Sequence, residues 1–385
     1  MRLVLTCLGV SVLILLAWGL VVLASAGGEN GLRLHSDANY FILRQLVWLA
    51  VSLPFLYVAM KFDYHKWKDL PWLTIVLYVV IVALLLLVFL FPKVNGSRRW
   101  VVMGPLRLQP SEFAKLIAVI ATAVFIDRSG WIIGTFWRGA IRGVCIVGVL
   151  MGLALAEPDF GAAMVIGLSG GVLFLVSGMK IVHMFTLGGI GLCGVGTLLA
   201  FNANRMNRIL SWFKGMFGDA VSAGGAVALS AKEEAVAHQA DMALVAIRNG
   251  GLTGVGFNES LQKLRYLPEA HTDFIFAIGA EEWGLFFSLS LLIAFVVFFV
   301  CGMIISARAP DRLGRLIAYG LTFLIFFQAV FNIGVVTKCL PTKGLALPFI
   351  SYGGTNLLAA LIAVGMLFNV GLQIELPKSR PRSTI

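Results

Sequence analysis

Ten apolar runs, each long enough to reach across a bilayer as a helix, dominate this sequence. They fall near residues 3–26, 41–60, 71–91, 112–127, 140–156, 160–179, 181–201, 274–305, 316–338 and 350–372. About 20 residues suffice for a crossing, and a segment in hydrocarbon must satisfy its own backbone, which a helix does. With 59% hydrophobic and 13% charged residues over 385 positions and a mean hydropathy of +0.93, a water-soluble domain is excluded. The expected fold is therefore all-α and polytopic, one transmembrane domain spanning 1–385 with ten transmembrane helices. The fourth and fifth runs are short, and the eighth, at about 32 residues, must tilt or project beyond the bilayer. Met1-Arg2 and Ala24-Ser25-Ala26 give the first run the look of a cleavable leader. Its apolar stretch exceeds the ~7–15 residues of a signal-peptide core, so it reads as a retained first helix.

Orientation follows from Lys and Arg in the short loops. With the long loop 202–273 left out, alternate loops starting with Arg2 hold fourteen of them and the other set holds eight, which places both termini on the inner side. Three polar segments then face outward: 92–111, the long extracytoplasmic loop 202–273 between helices 7 and 8, and 339–354. The net charge of +11 is no nucleic-acid signature, because the basic residues are spread through short loops between the apolar runs. Cys7, Cys145, Cys193, Cys301 and Cys339 lie in apolar segments without metal-ligand spacing and imply neither a metal centre nor a disulfide framework. No internal repeat is visible, so the inverted-repeat pattern of many transporters is missing.

The stretch 266–284 ends the longest polar segment and runs directly into an apolar one, so Glu269, His271, Thr272, Asp273, Glu281 and Glu282 sit at or just inside a membrane boundary. Carboxylates at that depth are expensive unless they face protein or a wet cavity. Helix capping is the competing reading, since Thr272 and Asp273 suit a helix N-terminus. On the outer side, Arg98, Arg99, Arg107 and Lys115 lie close in sequence, and guanidinium forks match phosphate oxygens. Snorkelling to lipid headgroups is the alternative for any one of them. Lys115 stands one turn after Glu112 in an apolar helix, so it should pair with that residue or face a cavity.

Glu157-Pro158-Asp159-Phe160-Gly161 is either a plain polar turn or a carboxylate pair that binds a cation or orients an arginine. The segment 339–354 carries Pro341, Gly344, Pro348, Gly353 and Gly354 at membrane depth, where irregular backbone must be buried or line a wet cavity. It reads as a pocket wall with Lys343, Ser351 and Tyr352 as polar lining. In the long loop, Ser230 to Glu233 fits a capping box, and an apolar periodicity follows up to Gly250-Gly251. Cations, a carboxylate and an apolar surround suit a lipid-linked pyrophosphate, with an Asp to take a proton from an attacking hydroxyl.

Asn95–Trp100, Leu108–Lys115, Glu157–Gly161, Gln262–Phe274 and Leu347–Gly354 together resemble the SEDS family, the shape, elongation, division and sporulation proteins RodA, FtsW and SpoVE. The similarity covers about residues 40–372, with the motifs in the family's order. Pro-Glu-Ala-His-Thr-Asp and Leu340-Pro-Thr-Lys-Gly344 lean towards the FtsW, or division, branch rather than the RodA-like elongation branch.

The resemblance implies an inverting peptidoglycan glycosyltransferase that polymerises lipid II (the undecaprenyl-pyrophosphate-linked disaccharide peptide) outside the cytoplasmic membrane. Implied partners are a class B penicillin-binding protein transpeptidase and other division proteins. The family's essential aspartate matches Asp273, whose implied role is general base. Arg98, Arg99, Arg107, Glu112, Lys115, Arg208, Glu269, His271, Thr272, Lys343 and Ser351 are the candidate substrate contacts. No cofactor is required by the sequence, though Mg²⁺ or Mn²⁺ could assist pyrophosphate departure. The chain departs from the family at His238-Gln239, Met242-Ala243, Thr355-Asn356 and Ala162, and its loop at 215–235 is longer than usual. A lipid flippase explains the same cations and cavity, but it needs polar residues at mid-bilayer, and here they cluster near one face.

Overall fold

The structure, a computed structural model, describes residues 1–92, 98–103, 106–200, 231–264, 270–341 and 344–375. Arg208, Glu269, Lys343 and the Ser230 position of the expected capping box lie outside the described residues.

Each apolar run of the sequence falls on a helix. In chain order these are α1 (Arg2–Ala26), α2 (Tyr40–Lys61), α3 (Pro71–Leu87), α4 (Pro110–Ser129), α5 (Arg142–Ala156), α6 (Phe160–Val176) and α7 (Ile181–Ala200). The amphipathic stretch of the long loop forms α8 (Ala231–Gly250), and α9 (Ile275–Arg308), α10 (Arg312–Val336) and α11 (Gly354–Gln373) follow. Among the described residues, eight helices are long and apolar enough to cross a membrane, and Phe160–Val176 and Ile181–Gly191 are shorter apolar helices. The chain is a multi-pass membrane protein. A two-stranded antiparallel hairpin, β1 (Val101–Met103) and β2 (Leu106–Leu108), precedes α4 with Val101 opposite Leu108 and Val102 opposite Arg107.

Burial sorts the helices into an inner and an outer set. The most apolar stretch of α11 is 83% buried, and those of α4 and α10 are 61% buried, whereas α2 and α3 reach only 17% and 22%. The inner set can be enclosed because its contact faces carry small residues, such as Ala359, Ala360 and Ala363 on α11, which let neighbouring helices approach closely. The outer helices instead present Leu, Val and Ile outward. α1 packs along α9, so the first run is an integral part of the bundle.

The long eighth run is accommodated by a kink. Within α9, Gly284 has φ +60°, a left-handed conformation that glycine adopts without steric cost. The loop after α8 fills the resulting gap. Val255 N and Gly256 N donate to the Glu281 and Glu282 carbonyls at 3.0 and 3.1 Å, and Leu285 N donates to the Gly251 carbonyl at 3.1 Å. A Cβ on Gly284 would stand 2.5 Å from Gly254 N, so the close approach of the loop also requires glycine. The loop is locked further by Lys263, whose Nζ donates to Glu282 Oε1 (3.0 Å), Ser25 Oγ (2.7 Å) and Asn258 Oδ1 (2.7 Å). Glu281 accepts from Ser260 Oγ and Asn249 Nδ2. Both acids of the 281–282 pair, whose depth made them functional candidates, are therefore used to clamp the loop onto α1 and α9.

Candidate functional site

The segment ahead of α9 is held by its backbone. The carbonyls of three successive residues each receive a different donor: Tyr352 N reaches His271 O (3.0 Å), Ser351 Oγ reaches Thr272 O (2.6 Å) and Asn332 Nδ2 reaches Asp273 O (2.9 Å). Asn332 lies on α10 and also donates to Leu345 O, so one amide ties the Asp273 segment to the chain ahead of α11. α9 itself begins at Ile275 with Phe274 at the N-cap position, so Thr272 and Asp273 stand ahead of the cap. Their side chains and that of His271 are half-buried. The His271 ring lies 4.4 Å from Phe41 and 5.8 Å from Tyr352, centroid to centroid, and its Nδ1 is 3.3 Å from Asn30 Nδ2.

The Asp273 carboxyl sits over bare backbone. A Cβ built on Gly344 would be 2.6 Å from Asp273 Oδ2, so a side chain there would have to push the acid aside. The segment 344–353 is irregular, as its Gly and Pro content implied, and it is walled by protein. Ser351 is 2% exposed and both hydrogen bonds of its hydroxyl are internal, from Leu347 N (2.8 Å) and to Thr272 O. Ser351 thus pins two segments together.

Lys115 both pairs with Glu112 and borders a cavity. Its Nζ lies 2.8 Å from Glu112 Oε2 and donates to Gln328 Oε1 at 2.7 Å. Gln328 passes the link on through Nε2 to Ala346 O (2.8 Å) and Asn356 Oδ1 (3.3 Å). The cleft among α4, α10 and α11 is small, about 10 Å³, and Glu112, Lys115, Gln328 and Asn356 are the polar residues in its otherwise apolar lining. Lys115 is 1% exposed, so it belongs to this interior network rather than to an exposed basic patch.

The arginines of the first polar segment are arranged differently. Arg99 is half-buried and its Nη2 donates to Pro158 O at 2.6 Å, so the hairpin segment is bound to the α5–α6 turn through a carbonyl. Arg98 is exposed and donates to Phe89 O (2.6 Å). Arg107 on β2 is also exposed, and its carbonyl receives Thr355 Oγ1 at 3.4 Å. Burial raises the Tyr352 pKa, and the Arg44 and Arg107 guanidinia partly offset that.

In the turn, Asp159 accepts from Gln109 Nε2 (2.9 Å), Ser111 Oγ (3.0 Å) and Ala162 N (3.1 Å). Glu157 is 0% exposed, and burial, followed by the neighbouring Asp159 charge, pushes its pKa up to about 8 against the lowering effect of Arg99. Gly161 packs on Leu345, so the turn and Asp273 flank the same 344–345 backbone. Among the described residues, no group of three or more His, Cys, Asp or Glu is placed to hold a metal ion.

Sequence reading missed Arg44, Gln109, Gln328, Asn332 and Asn356. The signal for Gln328 and Asn332 was available: a lone amide in a continuous apolar helix needs a partner on a neighbouring segment. The arrangement as a whole is a half-buried carboxylate fixed by its backbone, beside an irregular glycine segment, with arginines on an adjoining hairpin. It can take a proton from a hydroxyl and hold an anion nearby.

These features define a helical multi-pass membrane protein with a polar site at the ends of its inner helices. The cell cycle protein model of FtsW, RodA and SpoVE matches residues 5–375, and the chain belongs to this family. It is 33% identical over 369 residues to the probable peptidoglycan glycosyltransferase FtsW of Coxiella burnetii, covering 94% of each chain. It is 36% identical to the stage V sporulation protein E of Bacillus subtilis, over 93% of this chain and 94% of the relative. Among solved structures, a chain from a study of polymerization and crosslinking by a peptidoglycan synthase complex is similar with a TM-score of 0.75 and 25% identity, covering 96% and 98% of the two chains. The Thermus thermophilus rod shape determining protein RodA shares the fold at a TM-score of 0.67 and 24% identity, covering 96% and 97%.

Proposed function

We propose that this chain is a peptidoglycan glycosyltransferase that polymerises lipid II on the outer face of the cytoplasmic membrane during septal synthesis. The names of its relatives support the reaction, and FtsW among them supports the division role. The likeness to a chain of a peptidoglycan synthase complex supports a class B penicillin-binding protein as partner. In this reading the two shorter apolar helices also cross, giving ten crossings with both termini in the cytoplasm and the loop 202–273 outside.

The observation that carries the reading is the mounting of Asp273, fixed through its carbonyl while its carboxyl lies over Gly344. Asp273 removes the proton of the acceptor sugar's 4-hydroxyl as that oxygen attacks the anomeric carbon of the donor. The bond from that carbon to the pyrophosphate oxygen breaks, and the lipid pyrophosphate leaves. One in-line displacement inverts the α-linked donor to a β-linked product, so a single base suffices. Arg99 and Arg107 neutralise the departing pyrophosphate as bidentate donors. Arg98, Arg208, Glu269, His271, Thr272 and Lys343 are further proposed substrate contacts, while Glu112 and Lys115 line the small cleft and Ser351 pins the Asp273 segment.

The test is polymerisation of labelled lipid II by the purified protein with its cognate transpeptidase, native against Asp273→Asn. Loss of a positioned base should lower the rate by about 10²–10⁴-fold with folding unchanged. Equal rates in both would remove Asp273 from the mechanism. If neither polymerises while lipid II crosses vesicle membranes, the chain is a flippase. Repeating the assay with Mg²⁺, Mn²⁺ or a chelator decides whether a divalent cation takes part.

A further inference from the structure

Glu157 is the described acid whose surroundings fit least with a purely structural role. It sits at the C-terminal end of α5, is 0% exposed, and neither Oε1 nor Oε2 has a hydrogen-bond partner among the described residues. A carboxylate anion in that position would forfeit its hydration with nothing in return, whereas the neutral acid loses far less. The neighbouring cation is equally incomplete. Arg99 donates through Nη2 to Pro158 O, one residue along the chain from Glu157, while its buried Nε has no partner among the described residues. The guanidinium thus reaches the carbonyl next to Glu157 and acts on its charge, each group keeps unused hydrogen-bonding atoms, and among the described residues no ion pair joins them.

We propose that Glu157 is a proton-gated positioning residue for Arg99: as the neutral acid it leaves the guanidinium available to the donor's pyrophosphate, and as the anion it captures Arg99 and withdraws it. The proposal rests on the assignment of Arg99 to the pyrophosphate made above. The charged groups facing Glu157 among the described residues are Arg99 from the segment before β1 and Asp159 on the same turn. Asp159 accepts hydrogen bonds from Gln109, Ser111 and Ala162 and so stays in place as a fixed negative neighbour. Burial and that neighbour hold the Glu157 proton up to about pH 8, so the neutral form prevails at ordinary working pH. The sign follows directly. Above about pH 8 the acid ionises, Arg99 acquires an internal competitor for phosphate, and donor binding weakens. By linkage, binding of the anionic donor to Arg99 should favour retention of the Glu157 proton by the same factor as ionisation of Glu157 weakens donor binding.

The experiment uses the full chain with its cognate transpeptidase. KM and kcat for lipid II are measured between about pH 6.5 and 9.5 for the native protein and for Glu157→Gln, which keeps the shape but cannot ionise. The native KM should rise about tenfold across that range while kcat does not follow it, and the KM of Glu157→Gln should stay flat at the native low-pH value. A native KM that is flat, or one that rises equally in Glu157→Gln, overturns the inference while leaving the glycosyltransferase reading intact. Absence of polymerisation at every pH overturns that reading and this inference with it. A second readout needs neither substrate nor variant: the infrared difference spectrum of native protein carrying ¹³C-glutamate should lose a protonated-carboxyl band as pH rises through about 8. If no such band is present at low pH, or if it persists unchanged to about pH 9.5, the gate does not exist.

Discussion

Among the described residues, two pairs of neighbouring acids are buried, and they are handled in opposite ways. In the Glu281–Glu282 pair and in the Glu157–Asp159 pair, one carboxylate is bonded by neutral donors: Ser260 and Asn249 for Glu281, and Gln109, Ser111 and the Ala162 amide for Asp159. The other member makes the difference. Glu282 holds the Lys263 ammonium at 3.0 Å, with Ser25 and Asn258 completing the ammonium's shell. Glu157 has a guanidinium beside it that donates elsewhere. A buried acid with a committed cation is a fastening, because removing either partner strands a charge. A buried acid whose neighbouring cation is bonded to another group keeps its charge state in reserve. Depth in the membrane protein alone therefore does not mark a functional carboxylate; the partner does.

The strongest way to break this contrast is to strip the fastening of its cation. Lys263→Met keeps the length of the side chain and removes the charge, leaving Glu282, 1% exposed, without its ammonium. Loss of one partner of a buried pair costs about 3–5 kcal/mol. Thermal unfolding in detergent or nanodiscs should register that loss, and the loop after α8 should become the first segment to exchange its amide hydrogens. A native-like midpoint would mean that the Lys263–Glu282 pair is not a fastening and that the comparison is misdrawn.

Much of this organisation was legible in the sequence, for reasons that particular residues make plain. The apolar runs mark the helices because hydrocarbon tolerates little else, and Gly250-Gly251 marks the end of α8 because the Gly251 φ of +50° suits glycine. The Glu112–Lys115 pair follows from helical spacing alone. The roles of Glu281 and Glu282 did not follow, since their partners Ser25, Asn249 and Ser260 lie up to 257 positions away along the chain. Asn332 and Gln328 were hidden for a related reason. Their importance comes from reaching Asp273 O, Leu345 O and Ala346 O, backbone atoms that carry no sequence signature. Thr355 and Asn356, where the chain departs from its family, turn out to bond Arg107 O and Gln328, so those departures fall on the wall of the site.

A smaller effect in free energy, but one confined to activity, is expected from Gly344→Ala. The added methyl would fall 2.6 Å from Asp273 Oδ2 and must displace the carboxyl, while Gly344 itself is exposed, so the bundle can absorb the change. A misplacement of about 1 Å at the reacting group costs on the order of 10²-fold in rate. Polymerisation should therefore fall about a hundredfold with the unfolding midpoint unchanged, the mirror image of Lys263→Met. Should the variant lose stability and activity together, Gly344 would be a packing glycine and Asp273 would owe its position to something other than that backbone.

The finest division lies within the fastening itself. Asn249 Nδ2 donates to Glu281 Oε1 at 3.3 Å, a long bond, while Ser260 Oγ supplies the other oxygen. Asn249→Ala removes the long bond and leaves the Ser260 one, so the loss should be about 1 kcal/mol, the net worth of one hydrogen bond. The α8 end that carries Asn249 is also tied down by the backbone bonds around Gly251 and Gly254, which the substitution does not touch. The unfolding midpoint should therefore shift slightly and lipid II polymerisation should not change. A drop in activity without a drop in stability would be the informative surprise, since it would carry a catalytic consequence from the α8 loop to Asp273 along α9.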